Sequence, residues 1–99
     1  MRAVEQIAKK IMTIEQAKAF MQACKTTGKT VAFTNGCFDI LHPGHLFSLA
    51  QTAKEADYLL VGLNSDASVK KLKGPERPIN TTESRASILA NLVLVDVVV

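Results

Sequence analysis

His42 and His45 stand on either side of Pro43-Gly44, with Gly36 and Asp39 just upstream. These residue types at this spacing suit an anion. Pro43 fits the first position of a helix, where a missing N–H is no loss, and that makes His42 the cap. A helix opening there turns unpaired N–H groups and the positive end of its dipole toward the preceding loop, an arrangement that suits phosphate. Gly36 lets the backbone come close to a bulky anion. Gly44, without a side chain, leaves the helix start open to a ligand. His42 and His45 can donate hydrogen bonds to phosphate oxygens as charge builds there. A metal-binding pair is a competing reading. Pro43-Gly44 resists a regular helix between the two rings, however, and only Asp39 and Cys37 lie near enough to complete a ligand set. Two unlinked surface histidines are the blander alternative. Asp39 also fits a local turn cap, and Cys37 a small buried apolar residue rather than a nucleophile. Lys70, Lys71 and Lys73 fit a solvated face as well as a phosphate site, and Arg77 and Arg85 are equally open to both readings.

The elements that must position this loop are read from periodicity. Thr13 with Gln16 forms a capping box. Ile14, Ala17, Phe20, Met21 and Cys24 follow at helical spacing, and Gly28 ends the helix, giving a leading helix over 14–26. Met1 to Met12 is a short amphipathic stretch with a helical turn or two. Thr30 to Thr34 is a β-branched and aromatic run, read as a buried strand that Asn35-Gly36 breaks. The helix begun at Pro43 continues through Leu46, Leu49, Ala50 and Ala53 to about Ala56. A second strand covers 58–64, and Ser65 or Asp66 caps a short helix to Lys71. Lys73 to Pro78 is a loop rich in breakers. Asn80 with Glu83 reads as a second capping box, opening a helix from Thr81 to about Leu92. Val95 to Val99 begins a third strand. Strands that are apolar throughout, alternating with helices, predict an α/β fold: a parallel sheet with helices on both faces. The candidate loop then sits beyond the carboxyl end of the first strand, where ligands bind in such sheets.

Composition narrows the class. The chain has 99 residues, 47% apolar and 21% charged, which predicts one globular domain. The net charge of +3 is too small and dispersed for a nucleic-acid surface, and aromatic stacking platforms are scarce. Two cysteines are too few for a disulfide framework and point to a reduced, cytoplasmic setting. No apolar run reaches membrane-spanning length, and the amino terminus lacks a signal-peptide core. The sequence stops at Val99 inside an apolar strand with no polar tail, so a truncated chain is expected.

The run Asn35-Gly36-Cys37-Phe38-Asp39-Ile40-Leu41-His42-Pro43-Gly44-His45 resembles the Gly-x-Phe-Asp-x-x-His-x-Gly-His signature of the cytidylyltransferase-like nucleotidyltransferases. Thr34 to Asp39, Gly62 to Lys70 and Arg77 to Asn80 look most like the adenylyltransferase domains of ADP-heptose synthases. The resemblance covers about 14–99 and implies a Rossmann-like sheet, of which three strands are present. In relatives the first strand is central, so stopping at the third leaves it with an unpaired, pairing-prone edge. The likeness implies AMP transfer from ATP to a sugar 1-phosphate, D-glycero-β-D-manno-heptose 1-phosphate foremost, with release of pyrophosphate and no covalent intermediate. A CTP-dependent enzyme acting on glycerol 3-phosphate, and a nucleotide-binding fragment without turnover, are the alternatives. By the same likeness His42 and His45 are catalytic. Thr34, Asn35, Gly36, Cys37, Phe38 and Gly44 form the phosphate cradle. Asp39 orients the loop or the acceptor phosphate, and Lys70, Lys73 and Arg85 lie near the phosphates. Mg²⁺ is expected to ride on triphosphate oxygens rather than in a protein metal site. The implied partners are small-molecule nucleotide and sugar-phosphate substrates and further copies of the chain, with no nucleic acid and no membrane.

Overall fold

The computed structural model describes residues 5–99, so positions 1–4 of the leading amphipathic stretch lie outside the described residues. Its elements are α1 (Glu5–Ala8), α2 (Ile14–Thr26), β1 (Val31–Gly36), α3 (Pro43–Ala53), β2 (Tyr58–Leu63), α4 (Asp66–Lys73), α5 (Thr82–Ala90) and β3 (Val97–Val98). The strands form one parallel sheet in the order β1-β2-β3. This is the α/β arrangement that the alternation of apolar runs and helices predicts.

The period of two along β2 divides the core. Leu59 and Val61 face one way, into a cluster with Leu49 of α3 and Ala86, Leu89 and Ala90 of α5. Leu60 faces the other way, against Ala17 of α2 and Val97. Helices therefore cover both faces, and β2 is buried because neighbours flank it on both sides. At 25 cal/mol per Å², each such fully buried Leu or Val contributes about 1.5–3 kcal/mol of transfer free energy.

β1 departs from expectation in two ways. It runs on through Asn35-Gly36, whose pairs are Gly62 and Leu63, rather than breaking there. It is also only half-buried, with Phe33 61% exposed. An apolar run does not reveal whether a second neighbour exists, and among the described residues β1 pairs on one side only. β3 is shorter than the predicted 95–99 run, because Val95 is buried in the approach to the strand rather than laddered. Its far side is met by the chain's own start. Met12 N–H donates to the Val98 carbonyl and Val98 N–H to that of Lys10, both at 2.8 Å.

Helix starts are set by side-chain caps, which satisfy amide groups the first turn leaves unpaired. The capping box of Thr13 and Gln16 forms as read, and Gly28 takes the left-handed conformation at φ 73°. α3 ends at Ala53, three residues short of the expected end, and α4 continues to Lys73. The predicted box of Asn80 and Glu83 does not form. Thr81 is the cap, accepting from the Ser84 amide, because Asn80 is drawn away by Asp39.

Candidate active site

The cleft of interest opens beyond the carboxyl end of β1. It measures about 360 Å³ and is lined by Thr34 to Ile40, His45, Ser48, Lys73 and Arg77. Three larger hollows among the described residues hold neither histidine, so size alone does not identify the site.

The imidazoles of His42 and His45 form the helix cap of α3 between them. Gly44 N–H donates to Nδ1 of His42 at 3.0 Å, and His42 N–H donates to Nδ1 of His45 at 3.2 Å. The rings lie 3.9 Å apart between centroids, tilted by 33°. A neutral imidazole carries one N–H, so with both Nδ1 atoms accepting, both rings carry the proton on Nε2. Each then has one free, neutral N–H donor. Burial, the neighbouring His42 and then Lys73 all lower the His45 pKa from its ordinary 6.5, which holds the ring in that neutral form at pH 7.

The two glycines act first by making room for rings. A Cβ on Gly44 would sit 2.7 Å from Cε1 of His42, so the space expected to stay open for a ligand is where that ring lies. A Cβ on Gly36 would meet the Phe38 ring at 3.0 Å. Phe38 adopts a left-handed φ of 47°, unusual for a residue with a side chain, and its ring packs against His45 at 5.7 Å. The backbone turn at Phe38 thus supports the second imidazole.

Asp39 is the buried anchor of the loop, 3% exposed. Burial by itself would raise its pKa. The amides of Asn80 and Ile79 and the Arg77 guanidinium outweigh that and hold it at about 2. The donors are Ile79 N–H at 2.8 Å, Asn80 N–H at 2.8 Å and Arg77 Nε–H at 2.5 Å. Asn80 Nδ2 also donates to the Asp39 carbonyl. The turn-cap reading of Asp39 was too local, since its partners come from about forty residues downstream.

Arg85 is placed differently from expectation. It is fully buried and absent from the cleft wall. Its Nη1 donates to the Cys37 carbonyl at 2.7 Å, its Nε to the Asn80 carbonyl, and its Nη2 to Asp66 and Thr82. It holds the loop in place and has no free edge for a phosphate. Lys73 reaches the cleft, whereas Lys70 lines a neighbouring hollow with Asp66, Pro75 and Pro78. Thr34, Asn35, Gly36, Cys37 and Phe38 all line the cleft, whereas His42 and Gly44 are not among its lining residues; His42 adjoins it through its contact with the His45 ring. Cys24 and Cys37 are both free thiols.

Arg77, which the sequence leaves open between a solvated face and a phosphate site, lines the cleft, as do Ile40 and Ser48, which were not among the expected site residues. A signal for Arg77 exists in the sequence. It is a cation held in a breaker-rich loop after the second strand, and that loop returns to the same end of the sheet as Asp39. Among the described residues no three His, Cys, Asp or Glu gather to hold a metal ion. Nor is any helix among them long and apolar enough to cross a membrane.

Comparisons with known proteins identify the family. The family model described as cytidylyltransferase-like matches residues 33–99. Bifunctional protein HldE of Caulobacter vibrioides is 52% identical over 90 residues, 91% of this chain and 19% of that protein. Its namesake in Hahella chejuensis is 49% identical over 98 residues, 96% of this chain and 20% of that protein. The chain thus spans about a fifth of the length of the curated relatives it matches. The crystal structure of the lipopolysaccharide core biosynthesis protein from Thermoplasma volcanium superposes with a TM-score of 0.66 at 31% identity. That match covers 72% of this chain and 57% of the other.

Proposed function

The chain belongs to the cytidylyltransferase-like family, and from that premise we propose that its cleft transfers AMP from ATP to a sugar 1-phosphate. D-glycero-β-D-manno-heptose 1-phosphate is the leading acceptor, within cytoplasmic lipopolysaccharide biosynthesis. One observation carries the reading. Two adjacent imidazoles, tilted to one another and each tied through Nδ1 to a main-chain amide, offer Nε2–H donors at the head of α3.

In this reading an oxygen of the sugar phosphate attacks the α-phosphorus. A phosphorus–oxygen bond forms there, the bond to the bridging oxygen of the β-phosphate breaks, and pyrophosphate leaves with that electron pair. The acceptor oxygen is already anionic, so no base is required. The protein's work is positioning and stabilisation of charge. The His42 and His45 donors meet the oxygens of the α-phosphate as charge accumulates on them. Loss of one such preorganised donor costs roughly 100- to 1,000-fold in rate. Lys73 adds positive charge to the same cleft. Asp39 and Arg85 act as positioning residues, holding the loop from 36 to 40 against the segment from 77 to 82. Every Asp39 oxygen is engaged by donors, so a Mg²⁺ would be held by phosphate oxygens, where it neutralises their charge.

The test is a pyrophosphate-release assay on the chain with four combinations, ATP or CTP with the heptose 1-phosphate or glycerol 3-phosphate. Release only with ATP and the heptose ester is expected. Release with CTP and glycerol 3-phosphate selects the sibling reaction. Calorimetric binding of ATP with no release under any condition selects a binding module without turnover.

A further inference from the structure

We propose that Arg77 is a substrate-gripping residue of the cleft, with its guanidinium aimed by Asp39 so that the Nη1/Nη2 edge takes two oxygens of one phosphoryl group. The inference rests on the phosphoryl-transfer reading above and names a contact within that site.

Four observations carry it. Arg77 lines the same cleft as His45 and Lys73. Its side chain is 31% exposed, against 1% for Asp39, so it runs from the buried network out to solvent, where it borders this cleft and two neighbouring hollows. Its bond to Asp39 is made through Nε, and among the described residues neither Nη atom has a hydrogen-bond partner. Asp39 does not depend on Arg77 for its own place, because the amides of Ile79 and Asn80 also donate to it.

The chemistry follows from the shape of the group. A guanidinium is a planar fork whose end-on edge matches two oxygens of a phosphate, and fixing Nε removes the swivel that would otherwise be lost on binding. Lysine has neither the fork nor the Nε anchor. Arg85 illustrates the contrast: the same side chain a few residues on has all three nitrogens engaged inside the protein.

Calorimetry on the whole chain tests the proposal, with inorganic pyrophosphate and inorganic phosphate as probes and wild type, Arg77→Lys and Arg77→Gln as samples. Thermal melts are recorded in parallel. Both variants are expected to weaken one probe by about tenfold or more, the range for a lost charged hydrogen bond, while melting close to wild type. Loss confined to pyrophosphate assigns the fork to the nucleotide's leaving group. Loss confined to phosphate assigns it to the acceptor. Wild-type affinity in Arg77→Lys overturns the proposal, as does a wild-type chain that binds neither probe. A variant that melts early yet binds both probes normally marks a purely structural arginine and also overturns it. Phosphate binding that depends on Arg77 in a chain releasing no pyrophosphate from ATP would defeat the transfer reading and leave this one standing.

Discussion

Gly44 and the His42 ring occupy adjoining space, and that contact separates a folding role from a chemical one. Alanine at position 44 places a methyl group 2.7 Å from Cε1 of His42. The ring is the mobile party, so it swings away and its hold on the Gly44 amide is lost. Losing a cap costs about 1 kcal/mol, and replacing glycine by alanine inside a helix returns about the same. Gly44→Ala is therefore expected to melt near the wild-type temperature while pyrophosphate release falls roughly 100-fold, the scale for one displaced donor. A variant with wild-type turnover would show that the position of the His42 ring does not matter. His45 allows a test by titration. Burial, His42 and Lys73 lower its pKa below 6.5 in the folded chain. The unfolded chain then binds the extra proton first, so stability falls as pH drops below 6.5, down to the folded pKa. Imidazole nitrogen NMR is expected to show an Nε2–H tautomer at pH 7.5 and a His45 midpoint under 6.5. An Nδ1–H tautomer, or a midpoint at or above 6.5, contradicts the cap geometry.

Between elements, the decisive bonds are those linking the loop after β1 to the start of α5. Arg85 holds three parts of the chain at once: the Cys37 carbonyl, the Asn80 carbonyl and Asp66 at the head of α4. Arg85→Ala leaves two carbonyls and one carboxylate without their donor. Asp66 is half-exposed and is rehydrated, so the cost falls mainly on the two carbonyls left unpaired, about 1–3 kcal/mol each. The expected outcome is a large drop in the urea midpoint, where Arg77→Gln shows little. A stable Arg85→Ala chain with selectively lost nucleotide affinity would restore the phosphate-contact reading. This same linkage marks where the sequence stops being legible. The α2 start at Thr13 and the His42 cap could be read directly, because both are bonds spanning three residues or fewer. The α5 start could not. Asn80 and Glu83 fit a capping box on paper, as Thr81 and Ser84 fit the cap that forms, and Asp39, 41 residues upstream, decides between them. Arg77 and Arg85 looked alike for the same reason. Their roles depend on partners 38 and 48 residues away. The pairing of Lys10 and Met12 with Val98 likewise has no local signature.

Taken whole, the described residues leave several large apolar side chains exposed. The radius of gyration is 13.8 Å, against about 13 Å for a compact domain of 100 residues. Ile14 and Met21, two of the apolar positions at helical spacing along α2, are 64% and 47% exposed, and Phe47 on α3 is 66% exposed. The two edges of the sheet also differ. Beyond β3 the backbone is met by Lys10 and Met12, whereas β1 has no strand on its outer side among the described residues. Phe33 stands on that strand with its ring against Gly62 of β2, leaving most of its surface to solvent. An unpaired edge bearing an exposed aromatic residue is a template for another strand. Purified chain is therefore expected to self-associate as its concentration rises, measured by sedimentation velocity. Phe33→Lys places a charge on the edge while leaving the Leu59, Leu60 and Val61 core intact, and is expected to shift the distribution toward monomer with little change in melting temperature. Association that persists unchanged in Phe33→Lys would move the contact away from this part of β1, to the exposed side chains of α2 or α3. A wild-type chain that stays monomeric throughout would mean that the open edge is not adhesive at all.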